Sequence, residues 1–242
     1  MPHGTPDWGL TGPKETIYGL DDLGEHAARL GSPHLFDRRG DILALTDFRN
    51  GLGEVEPYCG VAAGTTGLCT GHSRTGAFSM LLTSDGTTGG AQGARMRLPL
   101  PVASKVGLEF SFTIKNPLDV WRAQLEWHDG VRWYQAQVLY DMTLQELHYI
   151  DIGGLPQPFA TGVNLWAYDG PTHTMKVVVD CALQEYVRVI VDHQPYSLAG
   201  FGIPDVGAGV QPYLWVSAFV ARAIGSDLDL YIDDLIVTHN EP

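Results

Sequence analysis

The sequence predicts an all-β protein, an antiparallel two-sheet sandwich preceded by an N-terminal arm and one short helix. Three observations carry that expectation. From residue 42 onward the hydrophobic period is two, not 3.6. An Asp129-Gly130 pair joins two alternating runs, and Asp-Gly favours a type I′ hairpin turn because both central residues need positive φ. Glycine and proline clusters at 51–57, 60–71, 84–93, 153–158, 169–171 and 200–212 separate ten or so short runs, with no long helical period between them.

The first region, 1–33, is set apart from the rest. Its opening fifteen residues hold three prolines and three glycines around Trp8. Leu20, Leu23, Ala27 and Leu30 then recur at three- and four-residue steps, with Asp21, Asp22 and Glu25 early and Arg29 late. Gly31 and Pro33 close the segment, so a short amphipathic helix is expected over 20–30. Residues 34–242 form the second region, the sandwich itself.

Within the sandwich, Leu108, Phe110, Phe112 and Ile114 alternate with Glu109, Ser111 and Thr113. Trp121, Ala123, Leu125 and Trp127 alternate with Arg122, Gln124, Glu126 and His128. Beyond the Asp129-Gly130 turn, Tyr134, Ala136, Val138 and Tyr140 alternate with Trp133, Gln135 and Gln137. A two-residue turn pairs His128 with Val131, which sets Leu125 against Tyr134, Ala123 against Ala136 and Trp121 against Val138. Met175, Val177 and Val179 with Val187, Val189 and Val191 make a second hairpin face, joined through Cys181-Ala182-Leu183-Gln184. Further strands fit 42–48, 77–83, 94–100, 144–151, 213–220 and 228–237.

Composition narrows the function. The chain has 242 residues, a formal net charge of −13 and 44% hydrophobic content, a globular balance with room for a sizeable core. Nucleic acid is an unsuitable partner, since phosphate binding needs clustered Lys and Arg. No run approaches the roughly 20 apolar residues of a membrane helix. The start has neither a basic nor an apolar leader region, so no export signal is expected. Three cysteines, Cys59, Cys69 and Cys181, are then expected as free thiols, although Cys59 and Cys69 are spaced to close a small ring.

Several segments resemble a known family. Leu45-Thr46-Asp47-Phe48-Arg49-Asn50-Gly51-Leu52-Gly53 looks like the first strand of a jelly-roll domain. His173–Asp180 followed by Tyr186-Val187-Arg188-Val189 is similar to the central hairpin of laminin-G-like domains. Tyr231–Val237 is similar to the closing strand of carbohydrate-binding jelly rolls. Residues 42–238 therefore resemble the concanavalin A-like lectin and glucanase group. The opening Met1–Gly9 and the ending Asn240-Glu241-Pro242 also resemble virion proteins of tailed bacteriophages. That second resemblance implies a non-enzymatic particle-surface or capsid-decoration component, assembled in a host cytoplasm.

On that implication Trp8, Ile17, Tyr18, Leu20 and Leu23 form a docking arm toward further copies of the chain and other virion proteins. The alternative is a carbohydrate-binding module for attachment to a host surface. Its glycan face consists of Arg122, Gln124, Glu126, Trp133, Gln135 and Gln137, an aromatic beside planar amides and a carboxylate. Jelly-roll glucanases carry spaced carboxylates on one strand, and no such triplet stands here, so no enzyme is expected. No cofactor is required. In carbohydrate-binding jelly rolls the matching acidic position often helps hold a structural calcium, which here would take Asp47, Asp233 and Asp234; the alternative for Asp234 is a β-bulge that turns it outward or a bond to backbone amides.

Overall fold

The computed structural model describes residues 39–59, 64–74, 77–84, 91–99, 103–115, 120–167, 171–208, 213–221 and 228–242. Two antiparallel sheets pack face to face. The first runs, edge to edge, β13 (Gln194–Ser197), β12 (Glu185–Val191), β11 (His173–Asp180), β6 (Lys105–Ile114), β16 (Leu228–His239), β4 (Ser79–Ser84) and β3 (Thr65–Cys69). β1 (Asp41–Thr46) pairs the far half of β16. The second runs β10 (Pro156–Thr161), β9 (Glu146–Ile150), β8 (Arg132–Asp141), β7 (Val120–His128), β15 (Tyr213–Ala221), β5 (Gln92–Leu98) and β2 (Val55–Cys59), with β14 (Asp205–Ala208) on the free end of β8. This is a jelly-roll-like, concanavalin A-like sandwich.

The expected architecture needs one correction. Among the described residues every regular element is a strand and none is a helix, so the short helix is no part of the described fold. Residues 20–30, the docking residues Trp8, Ile17, Tyr18, Leu20 and Leu23, and the whole 1–33 arm lie outside the described residues.

Alternation explains the core. Phe110, Phe112, Trp121, Ala123, Leu125 and Trp127 point inward and are buried, as are Leu214, Val216, Ala218 and Val220 of β15. Trp121 lies between the sheets, 4.5 Å from Phe112 and 6.2 Å from Tyr140 by ring centroids. Burying an aromatic of that size removes about 200 Å² from water, worth roughly 5 kcal/mol before entropy is counted.

Two details of register differ from expectation. The β7–β8 hairpin pairs His128 with Trp133, not Val131, so Leu125 faces Ala136, Trp127 faces Tyr134 and Trp121 faces Tyr140. The cause is the turn: Asp129 Oδ1 accepts the backbone N–H groups of Val131 and Arg132 at 2.8 and 2.7 Å, which favours a four-residue loop. A slip of two preserves parity, so both faces keep their residues. In the β11–β12 hairpin, a bulge after Val178 sets Val179 against Tyr186. Tyr186 therefore takes the core place expected of Val187, which is only half-buried.

Tyr186 also ties the sheets together. Its hydroxyl accepts the Gln137 N–H at 3.0 Å and donates toward Ile150 O at 3.0 Å, both in the opposite sheet. Cys69 carries a free thiol, and Cys181 is a buried free thiol whose pKa burial pushes up.

Candidate functional site

The face of the second sheet turned away from the core collects the polar and aromatic side chains of β2, β5, β15, β7 and β8. Pairing lays them out in rows. One row reads Arg97, Trp215, Glu126, Gln135, and the next reads Glu56, Arg95, Ser217, Gln124, Gln137. Flanking these are Tyr213, His128 and Trp133 on one side, and Phe219 and Arg122 on the other. Alternation places all of them here because the intervening residues fill the core.

Five polar residues expected from the sequence form one directed network. Arg122 Nη1 donates to Gln137 Oε1 at 3.2 Å. Gln137 Nε2 donates to Gln124 Oε1 at 2.8 Å and to Gln135 Oε1 at 2.9 Å. Those two amides in turn donate to Glu126 Oε2, at 2.5 Å from Gln124 and 3.2 Å from Gln135. A guanidinium thus leads through three amides to a carboxylate. Glu126 is only 5% exposed, and burial pushes its carboxyl above the ordinary range against the pull of Gln135, Gln124 and Trp133. Desolvation likewise lowers the pKa of Arg122.

The aromatic part of the face is larger than the sequence suggested. Trp133 stands nearly perpendicular to Trp215 at 6.4 Å and to Tyr213 at 6.3 Å. Arg95 and Arg97 lie over the Trp215 ring at 4.4 and 4.5 Å from its centroid. Arg95 also pairs with Glu56 at 3.3 Å. Among the described residues Glu126 Oε1, Arg122 Nε, Arg95 Nε, Trp133 Nε1 and Trp215 Nε1 are buried without a hydrogen-bond partner. So many open valences on one sheet face are unusual, because buried polar atoms are normally paired.

Sequence reasoning missed Tyr213, Trp215, Arg95 and Arg97 as members of this face. Their parity was legible, since Leu214, Val216 and Ala218 alternate with them on one strand and Ala94, Met96 and Leu98 on the other. That β15 neighbours β7, some ninety residues earlier, was not.

The calcium set is not assembled. Among the described residues no three His, Cys, Asp or Glu side chains are grouped to hold a metal ion. Asp47 turns to its own neighbour, accepting the Arg49 N–H at 3.0 Å and pairing with its guanidinium at 3.2 Å. Asp234 sits at positive φ where β16 shifts register against β6. Its Oδ2 accepts the Ser111 hydroxyl at 2.7 Å and lies 3.4 Å from Arg74 Nη1. Asp233 accepts the Arg74 backbone N–H at 2.8 Å. A guanidinium, not a metal, answers the Asp234 charge, so the residues present do not fit the ion.

No family model matches this chain, and no curated protein matches it by sequence. Solved structures share its fold. The endo-β-1,4-glucuronan lyase of the fungus Trichoderma reesei superposes with a TM-score of 0.56 at 12% identity, over 82% of this chain and 96% of that one. A carbohydrate esterase of the Shiga toxin-encoding bacteriophage phi24B gives 0.52 at 13%, over 84% and 100%. The carbohydrate recognition domain of Emp47p gives 0.53 at 12%, over 86% and 98%. At such identities the likeness concerns the fold alone. The comparisons identify no virion protein. Among the described residues no helix is long and apolar enough to cross a membrane.

Proposed function

We propose that this protein is a non-catalytic carbohydrate-binding β-sandwich module whose binding face is the outer surface of the second sheet. The observation that carries this reading is the juxtaposition of Trp133 with the Gln124, Gln135, Gln137 and Glu126 network. An aromatic edge or face beside planar amides suits a pyranose, whose C–H side is apolar and whose rim is hydroxyls. Amides that both donate and accept match hydroxyls, which do the same. The three neighbours in fold are named for acting on or recognising carbohydrates, which supports the same class.

Binding without hydrolysis fits the carboxylates. A glycosidase needs two within about 5 to 9.5 Å. Among the described strand residues of this face the carboxylate nearest Glu126 by pairing is Glu56, three strands away in the order β7, β15, β5, β2 and one row over, or roughly 16 Å at sheet spacing. Glu56 is moreover paired to Arg95. The virion reading rests on residues 1–9 and 240–242 of the sequence, and its docking arm lies outside the described residues, so the glycan alternative takes precedence.

Glycan-array screening of the full chain, followed by calorimetry, tests this. Trp133→Ala and Gln135→Ala are expected to weaken binding at least tenfold while leaving circular dichroism and Tm close to wild type. An array without a single bound glycan, or binding untouched by both substitutions, overturns the reading.

A further inference from the structure

We infer that the glycan taken by this face is acidic, a polysaccharide of uronic acid residues whose carboxylates meet the guanidinium groups of Arg97 and Arg122; this rests on the proposed carbohydrate reading and narrows it. The chain as a whole is strongly anionic, with 28 carboxylate side chains against 15 Lys and Arg. Around Trp215 its outer sheet face carries a local cluster of guanidinium groups, while Asp141 and Glu146 stand on the same face at its β8–β9 end. Arg95, Arg97 and Arg122 stand there against Glu56 and Glu126, and one of those carboxylates, Glu56, is already committed to Arg95. A protein of net charge −13 repels polyanions at long range, so a cationic stripe at one place is where an acidic chain could settle.

The two remaining guanidiniums are available. Arg97 is exposed and makes no ion pair among the described residues. Its plane lies over Trp215 at 4.5 Å and near Tyr213 at 5.7 Å, which holds the head in place while leaving its N–H edges open. Arg122 is half-buried against Phe219 and donates one N–H to Gln137. Among the described residues neither is ion-paired to a carboxylate, although the β2–β5 register continued by one residue sets Glu54 across from Arg97. Guanidinium forks pair with planar carboxylates through two parallel hydrogen bonds, a match that a neutral hydroxyl cannot make.

Spacing sets the size of the ligand. Arg97 pairs across from Trp215 and Arg122 from Phe219, so the two positions are two strands and four residues apart. At ordinary sheet spacings that is roughly 17 Å along the diagonal. One monosaccharide cannot touch both, whereas a short run of a polymer can. The diagonal passes over Ser217 with Gln124 beside it, and the Gln124 amide stands next to the sugars in between.

Calorimetry with oligogalacturonate, with the same oligomer after reduction of its carboxyl groups to alcohols, and with dextran sulfate tests the inference. The acidic oligomer is expected to bind at least tenfold more tightly than its reduced form, and to weaken as NaCl rises. Arg97→Gln, and separately Arg97→Gln with Arg122→Gln, should bring that ratio toward one, with Tm confirming that each variant folds. Equal binding of the acidic and reduced oligomers overturns the acidic preference and leaves the carbohydrate reading standing. Dextran sulfate binding as tightly as the uronate also overturns it, because the face would then read charge without carboxylate geometry. Absence of binding to every glycan tested brings down the carbohydrate reading and this inference together.

Discussion

Lys176 Nζ lies 2.7 Å from Glu241 Oε1, and neither side chain is more than 2% exposed. The pair is part of a buried cluster on the outer face of the first sheet. Glu109 Oε2 stands 3.7 Å from the same ammonium, Thr238 donates its hydroxyl to Glu241 Oε1 at 2.6 Å, and Arg188 pairs with the other carboxylate oxygen. The strand β16 thus ends in a turn that folds its own acid back over the sheet.

Removing that acid should be severe. Glu241→Ala leaves Lys176 and Arg188 with their principal carboxylate gone, and breaking one side of a buried pair typically costs about 3–5 kcal/mol. Urea denaturation should read a loss of that order, and Glu241→Gln should recover part of it through the Thr238 hydrogen bond. A loss under about 1 kcal/mol, the range of exposed ion pairs, speaks against a buried cluster.

The hydroxyl of Tyr186 is a single polar link between two apolar layers. Tyr186→Phe keeps the ring in the core but leaves the Gln137 N–H and Ile150 carbonyl short of a partner. A destabilisation of about 1–3 kcal/mol is expected by equilibrium denaturation, with the fold and m-value unchanged.

Glu126 imposes a pH-dependent penalty. Burial raises its carboxyl pKa in the folded chain above the unfolded value, so the folded state holds the proton to higher pH. Its ionisation therefore opposes folding: the penalty is absent below the ordinary Glu range and complete above the raised folded pKa. Glu126→Gln should accordingly be more stable than wild type at neutral pH, and the difference should shrink to nothing as pH falls through that window. A pH-independent difference in urea midpoints would contradict this.

Chelation should do nothing. With Asp234 engaged by Arg74 and Ser111, EDTA is expected to leave Tm unchanged, whereas a drop of several degrees restores the calcium expectation. Asp234→Ala, in contrast, removes one partner of a nearly buried guanidinium and puts Ala at φ 48, so a loss of about 1–3 kcal/mol is expected. Asp234→Asn should cost less, since Asn tolerates that backbone region.

The strands seen in advance were β1, β4, β5, β6, β7, β8, β9, β11, β12, β15 and β16, which lie inside the sheets apart from β1, paired to the end of β16. β6, β7, β8, β11, β15 and β16 alternate cleanly because one face of each is sealed in the core. The strands that were not seen, β2, β3, β10, β13 and β14, include four sheet edges and one strand attached at the end of another. They carry Pro57, Gly67, Pro156, Pro158, Pro195 and Gly207, residues that read as turns. An edge strand keeps one row of backbone groups out of the ladder, so it tolerates proline and glycine that a central strand rejects.

Parity alone determined which side chains of each central strand face inward and which outward, since a period of two follows from the pleat and needs no tertiary contact. It thereby placed Arg122, Gln124, Glu126, Gln135 and Gln137 on one surface even though the expected register was two residues out. Tertiary structure alone decided which strands lie side by side, and so brought Trp215, Arg95 and Arg97 to that surface. It also decided that Asp234 meets Arg74 where a metal was expected. The physical reason is range: alternation is a local steric property of the chain, while neighbourhood between distant strands is chosen by how the two whole sheets bury their apolar faces against each other.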